Sequence, residues 1–369
     1  MNERGSVAAG ETPLAAVLIR RIAATGPISV RAYMEICLSD PEHGYYRTQP
    51  AIGAAADFIT APEISQIFGE LLGLWSAVVW QQMGAPSPFR LVEIGPGRGT
   101  MMADALRAAQ RVPGFADAVR VILVEPSPVL QTAQRRKLEA TTAQVEWVED
   151  MARVAPGPTV LLANEFFDAI PMTQLIRCED GWRERMVALD QAAALSFAVD
   201  RSLWRGALPE AAATASTGSV LELRDLSGLS QTLQRMADGG PLAALFIDYG
   251  HEATGFGDTL QAVRRHRSES VLASPGAADL TAMVDFEAAE RCFASDRIAV
   301  EPLSTQAEFL GALGIAERAS RLMTANPSRA GEIEAAVARL MSPHGMGTRF
   351  KVLGVRSSQV PGLPGFARR

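Results

Sequence analysis

Two patterns of apolar and polar positions divide the chain near residue 89. Before it, apolar residues recur at helical spacing, which predicts helices over residues 14–24, 30–38 and 64–82. After it, short apolar runs of strand length alternate with amphipathic stretches. The predicted strands are residues 90–94, 119–124, 144–148, 159–163 and 242–247, and the predicted helices between them are residues 101–110 and 129–140. Strand and helix in alternation predict an α/β protein, with helices on both faces of a parallel sheet.

The segment between the fourth and fifth of these strands is too long for a simple connection. Residues 175–178 and 182–189 lie on either side of Asp180-Gly181, which predicts an inserted β-hairpin. Residues 207–218 are rich in Ala, Thr and Ser and predict a surface loop. Further predicted elements are the strands 297–301 and 350–356 and the helices 306–313 and 330–341.

Composition and charge narrow the functional classes. The chain has 369 residues, of which 48% are hydrophobic, enough for a sizeable core. Its formal net charge of −6 argues against a broad nucleic-acid-binding surface, so we expect no nucleic-acid partner. The 3 cysteines and 4 histidines are scattered, without the spacing of a disulfide framework or of zinc ligands, so we expect neither disulfides nor a metal site.

Nothing in the sequence predicts export or membrane insertion. Residues 1–11 lack a basic segment followed by an apolar core. The longest apolar run, residues 71–80, has about half the length of a membrane span and is more typical of a buried helix. We therefore expect a cytoplasmic protein with no integral membrane segment.

The strongest chemical signal is the sequence LVEIGPGRGT, a buried strand that runs into a glycine turn and then a helix. Gly95, Gly97 and Gly99 allow positive φ and a close approach to a ligand, and the helix start offers unpaired N–H groups. The dinucleotide fingerprint needs its third glycine at the position of Thr100, so the early third glycine favours S-adenosyl-L-methionine. Glu93 is placed to meet the amino group of that donor or to organise the turn.

Two further strand ends carry groups for the same ligand. Glu125 ends the second strand, where a carboxylate can accept both ribose hydroxyls, and Pro126 follows it. Asp150 and Met151 follow the third strand. We expect Asp150 to accept a hydrogen bond from the adenine amino group and Met151 to pack on the ring. A plain surface role is the alternative for Glu125.

Polar residues at the ends of the fourth and fifth strands are the candidates for chemistry. The fourth strand runs into ANEFFDAIP, and open α/β sheets bind ligands at this carboxyl edge. We expect Asn164 and Glu165 beside the transferred methyl group, and core packing for Phe166 and Phe167. His251, after the fifth strand, is either a general base or a structural hydrogen-bonding residue.

Several motifs together resemble the MidA-like methyltransferases, a family that includes the mitochondrial complex I assembly factor. The motifs are AADFITAPEISQIFGE (55–70), LVEIGPGRGT (91–100), VEPSP (124–128), ANEFFDAIP (163–171), IDYGH (247–251) and DTLQAVRRHR (258–267). ANEFFDAIP and TAPEISQ are far more specific than the glycine turn, and the likeness covers nearly the whole chain.

The resemblance implies a seven-stranded class I methyltransferase fold with S-adenosyl-L-methionine as cofactor. We accordingly expect a helical N-terminal cap region over residues 1–88, a Rossmann-like core over residues 89–174 and 241–356, and an inserted subdomain over residues 175–240 that covers the substrate. Carried over by motif, Gly95, Gly97 and Gly99 form the donor turn, Glu125 holds the ribose and Glu165 is an acid of the catalytic pocket.

The resemblance also implies a protein substrate. For the mitochondrial member, this is symmetric dimethylation of an arginine in the 49-kDa-type subunit of NADH:ubiquinone oxidoreductase. Met283 departs from the family, since it stands where relatives usually have histidine; if that histidine acts on the substrate, the choice of target differs here.

Arginine methylation gives the acidic residues a role. A guanidinium is a poor nucleophile until its lone pair is localised, and carboxylates that pair with its nitrogens orient it and share the departing proton. Glu165 is the first candidate for this role. Asp168 follows it closely, and Asp57 and Glu63 are in loops expected to face the same cleft.

Two other functions remain open. A scaffold protein would use the same fold to hold a client chain without transferring a methyl group. A nicotinamide-dependent oxidoreductase would use the glycine turn for a dinucleotide. The sequence leaves the oligomeric state undetermined.

Overall fold

The computed structural model describes residues 12–48 and 59–367. The strands in chain order are β1 (Ile28–Ser29), β2 (Phe89–Ile94), β3 (Val119–Val124), β4 (Gln144–Val148), β5 (Thr159–Asn164), β6 (Met172–Cys178), β7 (Gly181–Leu189), β8 (Leu195–Leu203), β9 (Val220–Arg224), β10 (Leu242–His251), β11 (Gln261–Arg264), β12 (Arg267–Glu269), β13 (Asp279–Thr281), β14 (Val284–Asp285), β15 (Ile298–Val300), β16 (Ser304–Thr305) and β17 (Phe350–Ser357).

The α-helices in chain order are α1 (Pro13–Thr25), α2 (Val30–Ser39), α3 (Tyr45–Thr48), α4 (Ala61–Ile64), α5 (Gln66–Gln82), α6 (Thr100–Ala109), α7 (Phe115–Ala118), α8 (Pro128–Lys137), α9 (Ser227–Asp238), α10 (Phe286–Phe293), α11 (Gln306–Ala312), α12 (Ile315–Ala325) and α13 (Ala330–Met341).

The central sheet has the expected α/β architecture. Its strand order is β15-β17-β10-β5-β2-β3-β4, with the short strands β14 and β16 beside β10 and β17. Strands β2, β3, β4, β5 and β10 run parallel, and β17 runs antiparallel to β10. The carboxyl ends of the parallel strands therefore meet at one edge, which is the edge where the sequence predicts the site.

Most predicted elements of this sheet match the observed ones closely. The predicted bounds of β3 and β4 are the observed bounds, and β2 and β5 each gain one residue. The predicted helix 64–82 is divided instead, because Ser65 is in extended conformation and its side chain caps α5 by accepting from the Ile67 N–H. The helices α9, α10 and α12 were not predicted.

One apolar cluster fills each face of the sheet. The face covered by α5 and α6 contains Phe68, Trp75 and Leu123. The other face contains Phe167, which stacks on Phe246 with ring centroids 4.8 Å apart. Phe167 is 1% exposed, so its predicted place in the core is confirmed. Phe166 is only half-buried and faces a cavity described below.

Gly73 determines how closely α5 approaches α6. A Cβ at Gly73 would lie 2.2 Å from the Ala105 carbonyl oxygen and 2.5 Å from its Cα. Any side chain there would force the two helices apart. Since α6 begins at the glycine turn, this contact helps to fix the helix end that borders the candidate site.

The predicted hairpin is present as β6 and β7, which pair from Leu175↔Glu184 to Cys178↔Gly181. It belongs to a larger sheet, with order β1-β7-β6-β9 and β8 paired to β7. Residues 207–218 contain a short 3-10 helix over Glu210–Thr214, in which Ala212 is buried.

The N-terminal helices share one apolar cluster with two other parts of the chain. Leu18 of α1 and Tyr33 of α2 pack in the same cluster as Val187 of β7 and Leu280 of β13. The division into cap, core and inserted subdomain remains a prediction. Over residues 12–48 and 59–367, no helix is both long and apolar enough to cross a membrane.

Candidate functional site

Two cavities meet at the carboxyl edge of the central sheet. The larger, about 550 Å³, is bordered by the ends of β2 and β3, the start of α8, and residues of α3 and α9. This volume lies in the usual range for a small-molecule site. The smaller, about 50 Å³, is bordered by Thr60, Pro62 and Glu63 on one side and by the glycine turn on the other. Gly95, Gly97 and Glu165 border both cavities.

The glycine turn has the backbone that its sequence requires. Gly95, Gly97 and Gly99 have φ values of 64°, 52° and 80°, in the left-handed region that favours glycine. The Gly95 N–H donates to the Val124 carbonyl at 3.2 Å and so continues the pairing of β2 with β3. Gly99 is the N-terminal cap residue of α6. The turn thus directs the start of a helix at the space between the cavities.

Glu93 is a buried acid with an unsatisfied oxygen beneath this turn. It is 2% exposed, and its Oε2 has no hydrogen-bond partner among the described residues. Burial, and then the charge of Glu125, raise its pKa to about 8. A buried carboxylate of this kind is stabilised by a cationic ligand group, as the ammonium of S-adenosyl-L-methionine would provide.

Glu125 is buried at the end of β3, with 4% of its surface exposed. Its Oε1 accepts from the Ser127 N–H at 2.8 Å, and its Oε2 accepts from Gln134 Nε2 at 3.2 Å. Burial raises its pKa to about 7, against the lowering effect of these hydrogen bonds and of Arg47. Glu125 is therefore held in one orientation at the wall of the larger cavity.

Gln134 of α8 connects the turn to Glu125 and was not predicted from the sequence. Its Nε2 also donates to the Gly97 carbonyl at 2.7 Å, while its Oε1 accepts from Trp147 Nε1 at 2.9 Å. Gln134 is fully buried. Gln134 is one of two glutamines in a helix rich in polar residues, and nothing in the sequence singles it out for such a role.

The far end of the larger cavity contains the residues predicted for adenine. Asp150 and Met151 both border the cavity, as does Pro126. The Asp150 Oδ1 accepts from the Ala152 N–H at 2.8 Å and so caps a short helical turn, while Met151 is buried. Arg47 Nη1 donates to the Pro126 carbonyl at 2.7 Å, which joins α3 to the loop after β3.

Glu165 and Asn164 lie where the cavities join. Glu165 has φ 50°, a left-handed backbone that is uncommon for a residue with a side chain. Its Oε1 accepts from the Ala61 N–H at 3.2 Å and from Asn164 Nδ2 at 3.1 Å. Burial, followed by the charge of Asp168, raises its pKa to about 8. The Asn164 Oδ1 is buried and has no hydrogen-bond partner among the described residues.

A group of buried acids surrounds Glu165. Asp168 is 5% exposed, and burial raises its pKa to about 6 although Arg224 opposes this. Asp248 Oδ2 accepts from the Phe167 and Asp168 N–H groups at 2.8 and 3.1 Å. Asp279 is buried, and its Oδ1 accepts from Tyr46 Oη at 3.1 Å. We call Glu165, Asp168, Asp248 and Asp279 the acid cluster.

Of the three residues predicted to bind the substrate, only Glu63 is found at the cavities among the described residues. Glu63 borders the smaller cavity, where its Oε1 accepts from Thr100 Oγ1 at 2.5 Å and its Oε2 lies 4.0 Å from Arg98 Nη1. His251 is exposed at the end of β10 and borders neither cavity. Asp57 lies outside the described residues.

Sequence relatives of this chain are curated methyltransferases. The Danio rerio protein named mitochondrial protein arginine methyltransferase NDUFAF7 is 36% identical over 367 residues, which cover 92% of this chain and 85% of that protein. The Homo sapiens protein of the same name is 34% identical over 378 residues, or 94% of this chain and 84% of that protein. The expected cytoplasmic location is therefore corrected, since these relatives are named mitochondrial.

A solved structure and a family profile also relate this chain to methyltransferases. The crystal structure of a Burkholderia thailandensis protein bound to S-adenosylhomocysteine has a TM-score of 0.81 and 29% identity, over 95% of this chain and 93% of that one. The profile of a family described as S-adenosyl-L-methionine-dependent methyltransferases matches residues 71–301. The chain belongs to this methyltransferase family, and S-adenosyl-L-methionine is its methyl donor.

Proposed function

We propose that the protein methylates arginine side chains of a protein substrate and that the acid cluster binds the arginine. The observation that carries this proposal is an excess of buried negative groups next to Glu165, the acid at the junction of the cavities. Asp168, Asp248 and Asp279 border neither cavity but interact with Glu165 through their charges, and Arg224 is a cation that acts on Asp168. Carboxylates that are buried without enough cations raise their pKa values or bind a cationic ligand.

Arg224 itself is committed to the protein. Its guanidinium donates to the carbonyls of Met283, Ala282 and Asp168, at 2.5, 2.6 and 3.4 Å. It is therefore held in place and contributes one positive charge against the acid cluster. A substrate guanidinium would supply a further positive charge and a fork of N–H donors that matches carboxylates.

The donor would lie along the edge of the sheet. Glu93 would meet its amino group, Glu125 the ribose hydroxyls, and Asp150 and Met151 the adenine. When bound, the cofactor would supply the methyl group as a sulfonium, whose C–S bond would break as the arginine nitrogen bonds to the methyl carbon. Glu165 would orient the guanidinium and accept the proton that leaves it, and Asn164 and Asp168 would support that geometry.

The names of the relatives support a protein arginine as the substrate. The curated proteins are named protein arginine methyltransferases. We further propose that the target is a subunit of respiratory complex I, of the 49-kDa type that the family resemblance implies, and that methylation assists assembly of that complex. The Met283 carbonyl accepts a hydrogen bond from Arg224, which places this residue beside the acid cluster. Its departure from the family pattern therefore bears on which target sequence the protein recognises.

The test is incubation of the purified protein and donor with purified complex I subunits, followed by mass spectrometry. We expect one or two added methyl groups on arginine in the 49-kDa-type subunit. Methylation of lysine or of a small molecule alone would contradict the proposal. Donor binding without any methylated product would favour a scaffold that holds a client protein.

The raised pKa values of Glu93 and Glu125 predict pH-dependent donor binding. With pKa values of about 8 and about 7, both acids are largely protonated at pH 6. Only ionised Glu93 neutralises the amino group, and ionised Glu125 is the stronger acceptor for the ribose hydroxyls. The affinity for S-adenosylhomocysteine, which keeps the amino group, should therefore rise about tenfold or more from pH 6 to pH 8. Calorimetry over this range should also detect protons released on binding.

Glu93→Gln is the matched variant for this measurement. It should bind more weakly at pH 8 and lose most of the pH dependence. An affinity for wild-type protein that stays constant or falls between pH 6 and pH 8 would contradict the assigned role of these acids.

A further inference from the structure

Phe166 departs from the core packing that the sequence predicts for it. Its ring is half-buried and borders the larger cavity, whereas the adjacent Phe167 is buried. The two ring centroids lie 6.0 Å apart, and Phe167 stacks in turn on Phe246. The aromatic core beneath it therefore holds the ring of Phe166 in place at the cavity wall.

The ring of Phe166 also lies against the glycine turn. Its Cδ2 is 3.6 Å from the position that a Cβ on Gly95 would occupy, which is ordinary van der Waals contact. Gly95 borders both cavities, and Phe166 borders the larger of the two. An aromatic surface is thus fixed on the larger-cavity side of the point where the two cavities join.

The contacts assigned to the methyl donor place its sulfur at this junction. Of the two cavities, Glu93, assigned to the amino group, borders the smaller, and Glu125, assigned to the ribose, borders the larger. In S-adenosyl-L-methionine, the sulfur joins the amino-acid portion to the ribose. The sulfur of a donor held by both acids therefore lies where the cavities join, beside Gly95 and the ring of Phe166.

No cation of the described chain occupies the ring of Phe166. The arginines that lie over aromatic rings among the described residues are Arg135, over Trp147, and Arg185, over Phe197. A cation within about 6 Å of the centre of an aromatic ring is attracted by the negative potential of the ring face. The ring of Phe166 is therefore available to a cationic group of a ligand.

We propose that the ring of Phe166 binds the sulfonium of the donor and so distinguishes the donor from the demethylated product. In methyl transfer, the C–S bond breaks with its electron pair on sulfur, which becomes a neutral thioether. The ring therefore attracts the ligand before transfer and loses that attraction afterwards. Phe166 would thus favour the exchange of S-adenosylhomocysteine for S-adenosyl-L-methionine. This inference rests on the methyl donor and not on the arginine acceptor, so either can fail alone.

Glu165 is the other group that could meet the sulfonium, since it borders both cavities. Its Oε1 already accepts two hydrogen bonds, from the Ala61 N–H and from Asn164 Nδ2. The proposed mechanism also assigns its charge to the acceptor. Glu165→Gln removes that charge and keeps the shape of the side chain, so this variant compares the carboxylate with the ring.

The experiment measures by calorimetry the affinities of S-adenosyl-L-methionine, S-adenosylhomocysteine and sinefungin, an analogue that has a protonated amine in place of the methylsulfonium. Phe166→Leu removes the ring and keeps an apolar side chain, and Phe166→Tyr keeps an aromatic ring. Phe256→Leu is the control, because Phe256 is 41% exposed, stacks on Trp182 and borders neither cavity.

We expect Phe166→Leu to weaken binding of the two cationic ligands about 2- to 30-fold relative to S-adenosylhomocysteine, the range for a cation–π contact. Phe166→Tyr should restore the preference for the cationic ligands, and Phe256→Leu should leave all three affinities unchanged. Because the affinity for S-adenosylhomocysteine reports the lost apolar contact and any loss of folding, the ratio of affinities isolates the effect of the charge.

Equal weakening or loss of all three ligands in Phe166→Leu would overturn the inference and leave Phe166 as an apolar wall. Weaker binding of S-adenosyl-L-methionine alone, with sinefungin unaffected, would overturn it in favour of a contact with the methyl group. A ratio that Phe166→Leu does not change would also overturn it. If Glu165→Gln abolishes that ratio instead, the sulfonium is bound by Glu165.

Discussion

Replacement of Glu165 by glutamine is expected to lower kcat for arginine methylation by about 10²- to 10⁴-fold, the range for loss of a general base. The affinity for S-adenosyl-L-methionine should stay within about threefold, because the donor contacts assigned to Glu93 and Glu125 do not involve Glu165. Glutamine keeps the shape of the side chain and can still accept from the Ala61 N–H. What it loses is the charge that pairs with the guanidinium.

The control for this variant is Glu139→Gln, an exposed residue just beyond α8. It should leave kcat and donor affinity unchanged. Single-turnover rates and calorimetry on the three proteins separate chemistry from binding. Full activity of the Glu165 variant with normal donor affinity would remove Glu165 from the catalytic role.

Gly95→Ala is expected to weaken donor binding by at least about 100-fold. Alanine at φ 64° destabilises the turn by about 1–2 kcal/mol. Its methyl group would also lie 3.6 Å from Phe166 Cδ2, at the boundary of both cavities, and would occupy space needed by a ligand that approaches the backbone. The backbone cost alone explains about a tenfold loss, and the rest comes from this obstruction.

Gly84→Ala provides a matched control for the backbone cost. Gly84 has φ 86°, a Cβ there would meet nothing within 4 Å, and it borders neither cavity. Both variants should lose similar stability in thermal unfolding, while only Gly95→Ala loses donor affinity in calorimetry. Equal donor affinity in the two variants would contradict the assignment of the turn to the donor.

The sequence predicted the sheet well because local signals determine it. Strand β3 is a short apolar run and β4 alternates polar and apolar residues, and the glycine turn requires left-handed backbone at positions where only glycine adopts it readily. Glu93, Glu125 and Glu165 follow from their positions at strand ends, since topology brings those ends to one edge.

The rest of the site depends on contacts between residues distant in the sequence. Arg224 reaches the acid cluster from β9, and Asp279 reaches it from β13, two strands that were not predicted. Gln134 was missed because its partners Gly97 and Trp147 lie on other elements. His251 was considered because it follows a strand end, yet β10 continues to His251 itself and leaves the side chain exposed.

The most direct test is a crystal structure of this protein with S-adenosylhomocysteine. We expect density across Gly95, Gly97 and Gly99, with the ribose hydroxyls on Glu125, the amino group at Glu93 and the sulfur facing Glu165. A ligand bound elsewhere, or one whose sulfur points away from Glu165, would contradict this expectation.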